Sequence, residues 1–435
     1  MKKINIVGAG LAGCEAALNF ADAGWEVALY EMKPKKHSEA HKLSSFAELV
    51  CSNSFKSQLP TTGSGLLKEE MKLLGGKLLS IAEECSVPAG NALAVDREQF
   101  SLKVTDLITT HPNISVINEE YTKLTDELTI IATGPLSSDN IVDALHEYLP
   151  ESNLYFFDAI APIVEKESIN FEVAYYKSRY DNGEADYINC PFTKEEYYNF
   201  VDALNEAEKH EAKEFENKYF DDIKFKFYEN CTPIEELARR GKDTLRFGVL
   251  RPVGLEDPKT DRRPFAALQL RIENAGQNAY NLVGCQTMLK YGEQKQVFRL
   301  IPGLEKANFL RYGSIHRNTY LNAPQMLNKN ISLKLKPNVF IAGQLSGVEG
   351  YVESIFIGLL VFQIINNGLE TLPEETIAGQ LWRHLNTEQK NFQPMNANFG
   401  LLPALEIRDK KKKKEAYAER SLLTLKAFLD GKLEQ

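Results

Sequence analysis

The chain has no long apolar run. None of its hydrophobic stretches reaches the roughly 20 residues that cross a bilayer, so no membrane helix is expected. CxxC pairs are missing too. Six cysteines (Cys14, Cys51, Cys85, Cys190, Cys231 and Cys285) are scattered over 435 residues. That spacing argues against a zinc site and against a disulfide framework. No metal is expected, and the cysteine usage fits the reducing cytoplasm. Internal repeats and low-complexity linkers are absent. So is an excess of positive charge: the net charge of −9 argues against unspecific polyanion binding by the chain as a whole. MKKINIVGAG at the N-terminus has two lysines before an apolar run. Asp22, Glu26 and Glu31 follow so soon that it reads as a strand and helix rather than a targeting segment.

What is present is a globular composition, 43% hydrophobic and 26% charged, able to bury a sizeable core. The length implies about two to three domains. Basic residues cluster locally at Lys410–Lys414, at Arg239, Arg240 and Lys242, and at Arg262 and Arg263. Such runs usually form solvated faces, but they permit local contact with phosphates.

INIVGA, residues 4–9, reads as a buried parallel strand. Gly8-x-Gly10-x-x-Gly13 follows, then a helix with Ala16, Ala17 and Ala21, then VALYE ending in Glu31. This is a complete dinucleotide fingerprint, including Ala9 in the turn. Gly8 allows the turn, Gly10 lets backbone approach a pyrophosphate, and Gly13 lets helix and strand pack closely. The helix N-terminus faces the anion, and Glu31 can accept from a ribose diol. Two later strand–glycine segments favour FAD over NAD: LTIIATGP with Thr133 and Gly134, and NVFIAGQLSGVEGYVES with Gly343, Gln344, Glu349, Gly350 and Tyr351. The expected fold class is α/β: a Rossmann-like FAD-binding domain of the two-dinucleotide-binding flavoprotein type, with an inserted α+β domain. The FAD domain is expected at 1–150 and 321–435, and the inserted substrate domain at 151–320. A helix is expected over 193–215, another from near Thr232, and the last 40 residues read as helical.

FAELVCSNSF, residues 46–55, sets Cys51 among Ser52, Asn53 and Ser54. Most free cysteines are buried and inert, and alone this one reads the same way. With GLLKEEMK, VPAGNALAVDR, TIIATGP, SRYDNGEADYINCP, NCTPIEELARRG, RYGSIHRNTY, GVEGYVES and FQPMNANFGLL, however, the segment resembles the folate- and FAD-dependent RNA uracil-5-methyltransferases over nearly the whole chain.

The resemblance implies methylation of uridine C5 in RNA: the T-loop uridine of tRNA or, in paralogues, a uridine of 23S rRNA. It implies FAD, 5,10-methylenetetrahydrofolate as carbon donor, and NAD(P)H as a candidate reductant. RNA and folate are the implied partners, and no obligate protein partner is inferred. C5 of uracil is a poor nucleophile until a thiolate adds at C6, so a cysteine is needed. Cys231, before a probable helix start, is the expected nucleophile, because a helix dipole favours thiolate. Cys51 is expected to assist as acid/base or to shape the flavin pocket. His316 and Tyr351 carry over as pocket residues. Arg97 and Lys290 are expected to meet the folate glutamate or RNA phosphates. Departures from the family pattern fall at Asn91, Val249, Leu250, Ser314, Ile315 and the bulky Ile355-Phe356-Ile357, where small residues would let a helix approach FAD. Two other readings stay open: a flavin oxidoreductase on a small molecule, and a non-catalytic RNA-binding protein.

Overall fold

The structure, a computed structural model, describes residues 2–38, 40–148, 154–181, 186–209, 232–274, 276–389 and 392–433. The chain begins with β1 (Lys3–Val7), α1 (Leu11–Asp22) and β2 (Glu26–Tyr30). α2 (Gly63–Leu73), α3 (Arg97–Thr110) and β3 (Thr129–Ile131) follow. A second sheet contains β4 (Ala266–Ile272) and β5 (Phe309–Arg311). The chain then returns with β6 (Lys336–Ile341), α4 (Tyr351–Asn367), α5 (Ile377–Asn386) and α6 (Lys410–Leu433).

The first sheet runs Ser332–Leu333, β6, β3, β1, β2, Ile114–Ile117. All its pairs are parallel except the edge pair of β6 with Ser332–Leu333. β1 is buried along almost its whole length, while β2 alternates between buried and half-buried residues. Ile4 and Ile6 pair with Val27 and Leu29. α1 lies between sheet and α4, with every residue from Leu11 to Ala21 buried. This is the Rossmann-like layer the fingerprint required.

The second sheet is antiparallel throughout: Tyr175–Tyr176, Tyr187–Phe192, β4, Ala279–Leu282, Ile163–Glu165, β5. A helix, Lys194–Glu206, packs on it. Its start is set by a capping box between Thr193 and Glu196, which satisfies two otherwise orphaned N–H groups. Tyr197, Phe200, Phe192 and Phe298 fill the core between them. That helix ends at Glu206, short of the expected 215; residues 210–215 lie outside the described residues. An antiparallel ribbon of Leu154–Ile160 with Ser314–Tyr320 stands apart from both sheets. At the C-terminus only α6 is a long helix; the segment before it, with Phe399–Leu401 as a 3₁₀ turn, is irregular.

Candidate active site

The cradle comes first along the chain. Gly8 has φ +99°, and a Cβ there would sit 2.7 Å from the Ala132 carbonyl oxygen. A Cβ on Gly13 would sit 1.9 Å from the Gly8 oxygen. Both positions therefore exclude any side chain. Gly10 is different. Its Cβ would meet nothing closer than the Ala132 oxygen at 4.0 Å, and the residue lines the cleft, so its missing side chain leaves room for a ligand. Glu31 is buried; its two oxygens accept from Ala9 N–H (2.9 Å) and Lys33 N–H (3.0 Å). One carboxylate thus fixes the turn, and each oxygen keeps a lone pair for a diol.

Two cavities meet here. The narrower is lined by Gly8, Ala9, Gly10, Glu31 and Thr133. The larger, about 1500 Å³ including its open mouth, shares Gly10, His41, Glu48, Thr133 and Leu136 with it. Its walls carry Gly134, Gly343, Gln344, Glu349, Gly350, Tyr351 and Cys51. The late strand–glycine segments thus reach the same cleft as the fingerprint. Gly343 and Gly350 both have positive φ (+73° and +116°), a conformation glycine adopts at no steric cost. A concave, mostly apolar cleft with a few convergent polar groups is where a cofactor binds, and the empty Gly10 position shows that a dinucleotide's backbone-hugging end fits.

The loop bearing Cys51 is held from several directions. Cys51 N–H and Ser52 N–H both donate to Tyr351 Oη, at 2.8 and 3.0 Å. Arg97 Nη1 donates to the Leu49 carbonyl at 2.7 Å, and Arg311 to those of Val50 and Cys51 at 3.3 and 3.5 Å. Arg271, which lines the cleft, donates to Ser52 Oγ (2.8 Å) and Asn53 Oδ1 (3.1 Å). Glu273 pairs with Arg97. Burial, with Arg97 adding to it, pushes Arg311 down to about 10. Burial likewise lowers Arg271, against the pull of Glu273, and raises the Tyr351 phenol.

The other cysteines behave differently. Cys14 lies under the glycine turn, its Sγ 3.3 Å from the Ala9 oxygen. Burial pushes the thiols of Cys14, Cys190 and Cys285 up. Among the described cysteines only Cys51 lines the cleft.

Several expectations need correction. Arg97 does not reach the cleft: its guanidinium is bound to the loop beneath Cys51 and to Glu273. Lys290 also lies off the cleft, its ammonium 2.7 Å from Glu208. Gly13 is a packing residue below the cradle rather than part of its lining. Cys231 and the side chain of His316 lie outside the described residues; the His316 backbone pairs with Asp158. The helix after Cys231 is only Ile234–Arg239, too short for the dipole argument to carry weight. Ile355, Phe356 and Ile357 are fully buried in the core. The close approach of α4 comes one turn later, where a Cβ on Gly358 would sit 2.3 Å from the Ala12 oxygen, while Ser354 faces the cleft.

Sequence reasoning missed Arg271 and Lys56. Arg271 is the lone charge in the strand AALQLRI, a signal that was available. Lys56 has φ +63° and pairs at 3.1 Å with Glu353, whose side chain is fully buried. The described residues hold no group able to bind a metal ion, and no described helix is long and apolar enough to cross a membrane.

Residues 3–370 match the family model described as Glucose inhibited division protein A. A solved structure of Aquifex aeolicus GidA shares the fold with TM-score 0.70 at 14% identity, over 99% of this chain and 73% of that one. Two curated relatives are named Methylenetetrahydrofolate--tRNA-(uracil-5-)-methyltransferase TrmFO. The one from Anoxybacillus flavithermus is 51% identical over 98% of this chain and 99% of its own. The one from Bacillus subtilis is 49% identical over 98% of each. The chain belongs to the TrmFO family of folate-dependent tRNA uracil-5-methyltransferases, within the wider Glucose inhibited division protein A family.

Proposed function

We propose that this protein methylates C5 of the T-loop uridine of tRNA, taking the carbon from 5,10-methylenetetrahydrofolate. The observation that carries the reading is the Cys51 thiol on the wall of a cleft whose far end is a complete dinucleotide cradle. Relatives at about half identity are named for methylenetetrahydrofolate-dependent tRNA uracil-5-methylation, which supports the reading.

The α1 N-terminus with Gly8, Ala9 and Gly10, packed close to the strand through Gly13, suits the pyrophosphate of FAD, and Glu31 its ribose. Thr133, Gly134, Gly343, Gln344, Glu349, Gly350 and Tyr351 wall the rest. Bound there, FAD would supply the reducing equivalents that make the transferred methylene a methyl group, with NAD(P)H as candidate reductant. The chain's own residues manage the uracil. The Cys231 thiolate adds at C6, which makes C5 an enolate-like carbon able to attack the methylene. Cys51, as the thiolate, then takes the C5 proton as the bond between the methylene and its nitrogen carrier breaks; addition of a hydride equivalent to the resulting exocyclic methylene completes the methyl group and expels the Cys231 thiolate from C6. His316 is kept as a candidate for the pterin. In this reading residues 151–320 form the substrate domain. Lys411, Lys412 and Lys414 on α6 are exposed and make no ion pair among the described residues, so they suit RNA phosphates.

The 23S rRNA reading drew on the departures at Asn91, Val249, Leu250, Ser314, Ile315 and Ile355-Phe356-Ile357; of these, the last three lie buried in the core and off the cleft wall. The test supplies FAD, a reductant and labelled methylenetetrahydrofolate to unmodified tRNA and to 23S rRNA separately. Label at uridine C5 of tRNA is expected; label in neither RNA sinks the methyltransferase reading.

A further inference from the structure

The loop from Leu49 to Asn53 accepts or donates hydrogen bonds to four side chains from four distant parts of the chain. Tyr351 comes from the first turn of α4 and Arg97 from the first turn of α3. Arg271 and Arg311 come from β4 and β5 of the second sheet. Both polar backbone groups of Cys51 are engaged, its N–H by Tyr351 and its carbonyl by Arg311. The cluster is also electrostatically lopsided. Three guanidinium groups face one carboxylate, Glu273, and the other titratable groups acting on Arg271 and Arg311 are the Cys51 thiol and the phenols of Tyr187 and Tyr351. Arg97 Nη2 and Arg311 Nε are buried without an acceptor among the described residues. Burying unmatched cations is unfavourable, and a loop needing only to be packed would be held by apolar contacts instead.

We infer that Arg271 and Arg311, reaching out of the second sheet, are positioning residues that with Tyr351 fix the Cys51 thiol where it meets the uracil C5 proton. This rests on Cys51 acting as the base. One reacting centre is therefore shared: the first sheet provides the cradle, the loop before Ser54–Ser57 carries the thiol, and the second sheet aims it. A bidentate fork suits this task because it fixes direction as well as charge.

The test follows the C5 proton itself. RNA carrying tritium at uridine C5 is given to the FAD-loaded enzyme with methylenetetrahydrofolate, and tritium release to water is timed. Arg271→Met is expected to slow release by about 100-fold, the scale of a misplaced reacting group. Its KM for RNA should stay within about twofold of wild type, and it should still form the covalent adduct with 5-fluorouridine RNA. Ser52→Ala, which removes one of the two Arg271 acceptors together with a local bond from Ser54 N–H, and Tyr351→Phe should each move release the same way by less, and they guard against a folding defect in Arg271→Met. Arg271→Met combined with Cys51→Ala should be no slower than Cys51→Ala alone, because one acts through the other. Wild-type release in Arg271→Met, or losses that multiply in the double variant, overturns the inference. If Cys51→Ala itself releases tritium normally, the base assignment fails first, and the inference falls with it.

Discussion

The two ends of the cleft are built in opposite ways. The cradle end comes mainly from residues 4–31, closed by Ala132 and Thr133 of the neighbouring strand end, and works mainly through backbone: close-packed glycines, N–H groups, and one carboxylate bracing the turn. The thiol end is gathered from residues near 51, 97, 271, 311 and 351, and works through side chains. A site made mostly of local backbone tolerates little substitution at its packed glycines and leans on few distant residues. A site made of distant side chains tolerates small changes one at a time, yet depends on the whole fold to bring them together.

The sharpest way to break that contrast is Gly13→Val. Its new atoms fall on the Gly8 carbonyl, which cannot swing aside. A loss of more than about 3 kcal/mol is expected, at the top of the overpacking range, read as a collapse of the melting temperature and of bound flavin. Gly10→Ala is the counter-case. With open space at that Cβ, stability should change by less than about 0.5 kcal/mol. FAD binding should weaken about tenfold, since displacing the ligand by a fraction of its contacts is worth about 1.4 kcal/mol; a flavin titration beside a melt separates the two effects. Equal damage from both variants would mean the glycines serve packing alone.

The scaffold around the cradle also has a pH signature. Burial pushes the Glu70 carboxyl of α2 up to about 7, although it accepts from Ile377 and Ala378 N–H groups at the start of α5. Between about pH 4.5 and 7 the unfolded chain releases this proton while the folded chain keeps it, so stability falls as pH rises. Up to about 3 kcal/mol is at stake. Glu70→Gln should flatten that part of the curve in urea unfolding at pH 5 and pH 7. The smallest effect is expected farthest from both ends. Changing Lys411, Lys412 and Lys414 together to Gln should reduce the salt slope of RNA binding by about 2, with flavin content unaltered; an unchanged slope would leave α6 out of the RNA interface.

The same contrast explains what was legible in the sequence. Gly8, Gly10, Gly13 and Glu31 could be placed because spacing alone defines them, and the parallel sheet followed. The strand–glycine segments at Thr133 and Gly343 also led correctly to the cleft. At the thiol end sequence position says nothing about direction. Arg97 sits in a family motif, but its guanidinium turns inward to the Leu49 carbonyl. Arg271 hides in an apolar strand, its role visible only once β4 lies beside residues 52 and 53. Ile355-Phe356-Ile357 looked like a disturbed pocket wall, yet helical phase turns them into the core and leaves Ser354 on the cleft-lining face and Gly358 on the close-packed one.

The division of labour between the two cysteines is the central claim, and trapping it is the most direct test. Enzyme incubated with 5-fluorouridine tRNA, FAD and methylenetetrahydrofolate is digested, and the RNA-linked peptide is sequenced by mass. The account predicts the uracil on Cys231, with the adduct lost in Cys231→Ala and kept in Cys51→Ala. A uracil found on Cys51, or an adduct persisting in Cys231→Ala, would contradict it.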